Sequence, residues 1–351
     1  MNKFGTLAWA LPAALTVSLN AVARPPDATI RNGQVSAIVS LPDAQKGYYR
    51  GTRFDWSGII SSLKYQGHEY ITAWSDIGDP SVADFEYRGN QIVTGTNSTM
   101  VGIPEEFLSF PARTALGWEE AKVGGTFIKI GVGVLRKPDD KPYDHFRLYE
   151  IVRGSKWRIG KDSTSVTFTQ TVNDSQSGYG YIYTKKVSLV PGKPRLTIEH
   201  TLRNTSSKPI TGMVYDHNFV RWDDQPPGKD YSIRFGFDAR PSESLGEAPL
   251  SFDGQSVSFT RAIGEKESMR VLPVGFGKTP EDYNFRIENK KLGIGLHITA
   301  DQPLARATLW GIRAVFAIEP FINYDIAPGS EFSWRYTYEA YLLAGTAEVT
   351  Q

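Results

Sequence analysis

The chain of 351 residues has no cysteine, so disulfides and thiolate metal centres are excluded. It also has no surplus of charge. With 39 basic and 38 acidic residues and no basic run, it offers neither a nucleic-acid footprint nor a patch for anionic membranes. Histidine is scarce: His68, His145, His200, His217 and His297 are the full set, and none falls in an HExxH or His-x-His pattern. A zinc site is therefore not expected. There is no Gly-x-Ser-x-Gly nucleophile elbow. Aspartates lack the spacing of an EF-hand, which leaves only a calcium ion held by loop carboxylates open. Period-3.6 patterning is missing except for a short stretch near Trp118–Ala121, and no fixed-period repeat or Gly/Ser linker divides the chain.

One apolar run stands apart from the rest. Met1-Asn2-Lys3 gives a positive start, Leu7 to Leu19 is mostly apolar, and Ala21-Val22-Ala23 has the small-x-small form of a cleavage site. That order predicts a secretory signal peptide over residues 1–23 and a mature protein, residues 24–351, in the periplasm or outside the cell. No later stretch has the ~18 uninterrupted apolar residues of a membrane span, so no membrane association is expected after cleavage.

What the sequence does hold is aromatic residues, glycine and proline: 8 Trp, 17 Tyr, 18 Phe, 33 Gly and 21 Pro. This composition favours many strands joined by tight turns. The segments Ser165–Val172, Gly180–Val190, Arg195–Leu202 and Ile210–Phe219 alternate as an antiparallel meander, and Ser330–Tyr341 alternates again near the end. Further strands are expected over Gln34–Leu41, Ile59–Leu63, Thr126–Leu135, Phe146–Val152, Tyr231–Phe237, Leu292–Thr299 and Leu309–Phe316. Residues 76–119 read as loop. The pattern predicts an all-β chain folded as one large antiparallel β-sandwich over residues 24–351. Aromatic-rich β-proteins of neutral charge often handle sugars, whose apolar faces stack on rings.

Two ionisable residues stand out. Alternation from Ile210 puts Met213, Tyr215, His217 and Phe219 on one strand face. A histidine in that company suits either a buried structural role or acid/base work at the floor of a cleft. Glu319 lies inside the apolar run Val315-Phe-Ala-Ile-Glu-Pro-Phe321. If buried, it would have a raised pKa and serve as a proton acceptor near neutrality; a strand-end glutamate reaching water past Pro320 fits the residues equally well. His200 shares its alternation with Leu196, Ile198 and Leu202, which favours a core histidine. Gly131-Val-Gly133 has no helix signal after it and carries no nucleotide role.

Asp216-His217-Asn218-Phe219, after the turn at Asn204, resembles the Asn-His-x-Tyr-Phe signature of aldose 1-epimerases, with Asp216 where the signature has Asn. Glu319 followed by Pro328-Gly329 and a final aromatic strand is similar to that family's C-terminal end. Arg50–Ser57, Ile103–Phe107 and Phe127–Val134 look like a divergent, exported branch of the galactose mutarotase-like superfamily. The resemblance implies a β-supersandwich with a sugar cleft, His217 as general acid on the ring oxygen and Glu319 as base on the C1 hydroxyl. No metal or cofactor is needed for that chemistry. It further implies Arg53 as the substrate arginine. The family's His-Gly-Gly loop has no match; His145 is the candidate by position, and Glu106 falls in the same region.

The expected function is interconversion of sugar anomers, with a carbohydrate as partner. The competing readings are a non-catalytic carbohydrate-binding protein on the same fold and, with less support from Tyr48, Tyr49, Arg50 and Arg53, a polysaccharide lyase or hydrolase. No basic run points to a phosphorylated sugar, although Lys46, Arg50 and Arg53 leave one open, and nothing in the sequence specifies an oligomeric state.

Overall fold

The computed structural model describes residues 24–154 and 156–344; the expected signal peptide, residues 1–23, lies outside the described residues. Within them the chain is built of strands, with two short 3-10 turns at Trp222–Asp224 and Pro280–Asp282. The stretch near Trp118 forms a turn, not a helix.

Two antiparallel sheets carry the architecture. The larger has ten strands, centred on Arg195–Asn204 beside Glu331–Leu342 and Ile294–Ala300. Its strands alternate buried and exposed residues, because one face meets the core and the other meets water. The smaller runs in the order Ser268–Val271, Arg306–Ile312, Val315–Ile326, Ile210–Asp216, Glu105–Ser109, with Asn218–Val220 also pairing Val315–Ile326. The inner faces meet in a dry core. Phe107 of the smaller sheet packs edge-on against Tyr183 and Trp334 of the larger, at ring separations of 5.4 and 6.0 Å.

The smaller sheet is covered on its outer face too, by residues 48–58 and 143–149 and by residues 74–99, which carry the small sheet of Ile77–Gly78, Phe85–Arg88 and Gln91–Thr94; these bring a second set of buried side chains. Both faces of Val315–Ile326 are consequently buried over most of its length. That explains two departures from the sequence expectation. Leu309–Phe316 is not one strand: Arg306–Ile312 and Val315–Ile326 meet at a two-residue turn, Arg313-Ala314. Thr126–Leu135 is likewise a hairpin of Thr126–Lys129 and Gly133–Arg136. With apolar residues on both faces, the run continues through the Gly131 turn, and only Arg313 marks the other turn. Part of the expected loop, Glu105–Ser109, is a strand buried along almost its whole length. Phe146–Val152 forms a strand only from Ile151.

The turn at Gly131 depends on its missing side chain. Gly131 sits at φ +81°, and a Cβ there would lie 2.5 Å from Asp55 Oδ1 and 2.7 Å from Asp55 Cβ. Its N–H donates to Gln170 Oε1 at 3.2 Å and to the Tyr181 hydroxyl at 3.3 Å. Left-handed backbone costs an L-residue ~1–2 kcal/mol, and an overpacked site adds ~1–3. Gly131→Ala is expected to destabilise the protein by about 2–5 kcal/mol in denaturant unfolding, whereas Gly192→Ala, at φ +66° with nothing near its Cβ position, should cost only the backbone part.

Candidate functional site

The outer face of the smaller sheet forms the floor of a cavity of about 380 Å³. Strand register decides what that floor presents. Tyr215 pairs with Glu106 on one side and Phe321 on the other; Glu319 pairs with Thr308, and Ala317 pairs with Trp310 and Phe219. Directly opposite residues project to the same face, so Glu106, Tyr215, Phe321, Glu319, Trp310 and Phe219 all face the cavity. The expected strand Ile210–Phe219 is interrupted at His217, although its backbone N–H keeps the register of Glu105–Ser109 and donates to Pro104 O at 2.8 Å. Alternation survives the break: Tyr215, His217 and Phe219 line the cavity, and Asp216 and Asn218 point the other way.

His217 and Glu319 are in contact, Nε2 to Oε1 at 3.2 Å, with side-chain exposures of 7% and 13%. The imidazole stacks on Phe219 at a centroid distance of 4.0 Å and meets the edges of Trp310 and Phe54 at 5.7 and 6.2 Å. Burial, reinforced by the nearby Arg53 charge, pushes His217 well below the ordinary histidine range, so the ring is neutral near pH 7. Burial also pushes the Glu319 carboxyl up to about 7, against the opposing pull of Arg53 and Arg270. Together they hold one mobile proton near neutrality.

Arg53, His145 and Glu106 line the same cavity, so all five candidate residues surround one space. Glu106 is fully buried and fully engaged. Its Oε2 accepts from Arg53 Nε at 2.8 Å and from the Tyr215 hydroxyl at 2.7 Å; its Oε1 accepts from Lys129 Nζ at 2.9 Å, with His145 Nδ1 at 3.6 Å. Burial works against the Glu106 charge, but Lys129 and Arg53 outweigh it and hold the carboxyl well below the usual range. Oε2 holds Arg53 while Oε1 is taken up by Lys129, and the Arg53 guanidinium lies between the Phe54 and Phe146 rings at 4.4 and 4.8 Å. His145 stands at the rim, 36% exposed.

Sequence reasoning missed several members. Lys129, a lone charge in the run Thr126–Leu135, carried the same signal that singled out Glu319. Trp74 and Thr99 gave none; each presents a buried polar atom (Nε1 and Oγ1) with no protein partner and lines the cavity, as does His217 with its Nδ1. His200 lies in the sandwich core, stacked on Trp334 at 4.4 Å with Nε2 at 2.8 Å from Glu105. Among the described residues no group of three or more His, Asp or Glu side chains is arranged to hold a metal ion.

No protein-family model matches the chain, and no curated protein matches its sequence. Solved structures do match. A galactose mutarotase-like protein from Lactobacillus casei superposes with a TM-score of 0.52 at 15% identity, over 90% of this chain and 100% of that one. An aldose epimerase homologue from C. elegans gives 0.52 at 14% identity, over 91% and 99%. A putative aldose 1-epimerase from Escherichia coli K12 gives 0.51 at 12% identity, over 91% and 99%. At these identities the likeness establishes the architecture: the chain has the galactose mutarotase-like β-sandwich fold.

The raised Glu319 pKa has a stability consequence of definite sign. Below about pH 4.5 the carboxyl is protonated in folded and unfolded chains alike. As pH rises toward 7 the unfolded chain ionises while the folded one does not, so stability is lost through that window, by about 3 kcal/mol at most. Glu319→Gln should therefore stabilise the protein by roughly 1–3 kcal/mol at pH 8 and leave it unchanged at pH 4.5. Urea unfolding at the two pH values measures the difference, and an equal effect at both would refute the burial cost assigned to Glu319.

Proposed function

We propose that this protein interconverts the anomers of an aldose, with His217 and Glu319 as the acid–base pair. The observation that carries this reading is their direct contact on an aromatic cavity floor beside a fixed arginine. In a cyclic aldose the ring oxygen and the anomeric hydroxyl are both bonded to C1. The groups that protonate one and deprotonate the other must therefore be neighbours.

Near neutrality the single proton of the pair moves from Glu319 to His217 across the 3.2 Å contact. The imidazolium then protonates the ring oxygen while the carboxylate takes the C1 hydroxyl proton. The C1–ring oxygen bond breaks and C1 becomes a carbonyl carbon. Rotation about C1–C2 and closure from the other face give the opposite anomer. His217 has lost a proton and Glu319 has gained one, so the pair keeps its count and needs neither metal nor redox cofactor. Arg53, held by Glu106, binds sugar oxygens; Trp310 and Phe219 offer apolar surface to the ring, and Trp74 and Thr99 offer polar contacts to hydroxyls. The sequence-based expectation of export places this activity in the periplasm or outside the cell.

Glu319→Gln is expected to lower catalysed anomer exchange by ~10²–10⁴-fold, followed by polarimetry or saturation-transfer NMR, while sugar binding persists. For the native protein, kcat/KM should stay level on the acid side and fall as pH rises through about 7, because the pair then loses its only proton. A profile that instead rises through pH 7 would overturn the assignment of the proton to this pair, and a native protein that accelerates exchange of no aldose would leave carbohydrate binding without catalysis as the better reading.

A further inference from the structure

Three arginines from separate parts of the chain converge on one side of this cavity. Arg270 pairs in register with Trp310, and Arg306 with Phe321, so both project from the cavity face of the smaller sheet. Arg113 comes from the loop after Glu105–Ser109, with its backbone in the left-handed region at φ +59°. Arg113 and Arg306 place their guanidinium carbons 6.0 and 5.5 Å from the centre of the same Phe321 ring. Arg113 and Arg270 line the cavity itself.

None of the three has a carboxylate oxygen within 4.0 Å among the described residues, unlike Arg53 on the same cavity, whose Nε lies 2.8 Å from Glu106. Arg306 is half-buried, and its Nε has no hydrogen-bond partner. The carboxylates that share the cavity do not neutralise them. Glu106 is consumed by Arg53, Lys129 and Tyr215, and Asp84 accepts from Ser98 Oγ at 2.5 Å near Arg53. Glu319 is only partly ionised near neutrality. Burial, then the Arg113 and Arg270 charges, lower Arg306 from its ordinary value, and Glu319 offsets them only in part.

We propose that the sugar taken by this cavity carries an anionic oxygen group (carboxylate, sulfate or phosphate) bound by Arg113, Arg270 and Arg306 beside the anomeric centre. Planar guanidinium groups match the paired oxygens of such anions, and the charge-assisted contacts are about twice as strong as neutral ones. The proposal deepens the anomer-exchange reading by naming its substrate class, and it predicts that a neutral hexose is the poorer ligand.

Binding of the full chain to galacturonate, glucose 6-sulfate and glucose 6-phosphate, each against its neutral parent hexose, tests this by calorimetry with anomer exchange measured in parallel. At least one anionic sugar should bind about tenfold more tightly than its parent, the scale of one charge-assisted hydrogen bond. The preferred anion identifies the source of the charge. In Arg270→Gln/Arg306→Gln the anionic-to-neutral affinity ratio should fall toward one; Arg113→Gln, on an exposed loop, should reduce it in part. The neutral sugar in the same variant reports whether the cavity is intact. Neutral parents binding as tightly as every anionic sugar, or a ratio unmoved by the substitutions, overturns the proposal and leaves anomer exchange standing if neutral sugars are exchanged. Arginine-dependent anion binding with no exchange has the reverse meaning: it upholds the anionic class and removes the catalytic reading. Failure of every sugar to bind overturns both.

Discussion

Two consecutive buried carboxylates set the conditions for everything else in this molecule. Glu105 and Glu106 are neighbours on one strand, so their side chains point to opposite faces of the smaller sheet, and neither face is open to water. An unpaired buried carboxylate would cost several kcal/mol, so the fold must supply cations on both sides. On the cavity side Glu106 receives Lys129 and Arg53. On the core side Glu105 receives Lys185, with His200 Nε2 2.8 Å away, and Lys185 also lies 3.5 Å from Asp55 and donates to Ser57 O at 2.9 Å. Across the strand pair, Asp216 faces Glu105. Burial and the Glu105 charge push Asp216 well above the usual carboxylate range, which keeps it protonated between Glu105 and the Tyr338 hydroxyl.

This back-to-back arrangement separates two jobs that a single network could not do together. The core-side cluster is closed off from water: Asp55, Glu105, Lys185, His200 and Asp216 are all buried. The cavity-side cluster is matched only as far as Arg53. Beyond that point lie a histidine and a glutamate whose charged forms burial disfavours, and arginines without partners. Asp216, where the aldose 1-epimerase signature has Asn, belongs to the closed side, so this departure lies behind the cavity floor and not in it.

The sequence made the sandwich legible wherever one strand face meets water. Ser165–Val172 and Arg195–Leu202 alternate because their outer residues are free to be polar, and the structure places strands there. Where both faces are buried, alternation disappears; the hairpin turn at Gly131 was invisible inside an apolar run, and only Arg313 marked the turn at Arg313-Ala314. His217 and Glu319 could be found by the same logic in reverse, as ionisable residues in apolar surroundings. Lys129 met that test and was passed over. The three arginines could not be found this way: Arg113, Arg270 and Arg306 are ordinary, partly exposed residues in sequence, and only the strand order brings them together.

The hydroxyl of Tyr338 lies within hydrogen-bond distance of Asp216 Oδ2 and Asn218 Oδ1, each at 2.9 Å, gripping the chain on either side of His217 from behind. Tyr338 belongs to the last strand, Glu331–Leu342, which pairs with Arg195–Asn204 more than a hundred residues earlier. The segment that presents His217 is therefore fastened by the last strand of the sandwich. Strands joined over so long a separation close slowly, because the intervening chain must be ordered first. A chain stopped short of its closing strand would lack the hydroxyl that fastens the His217 segment from behind.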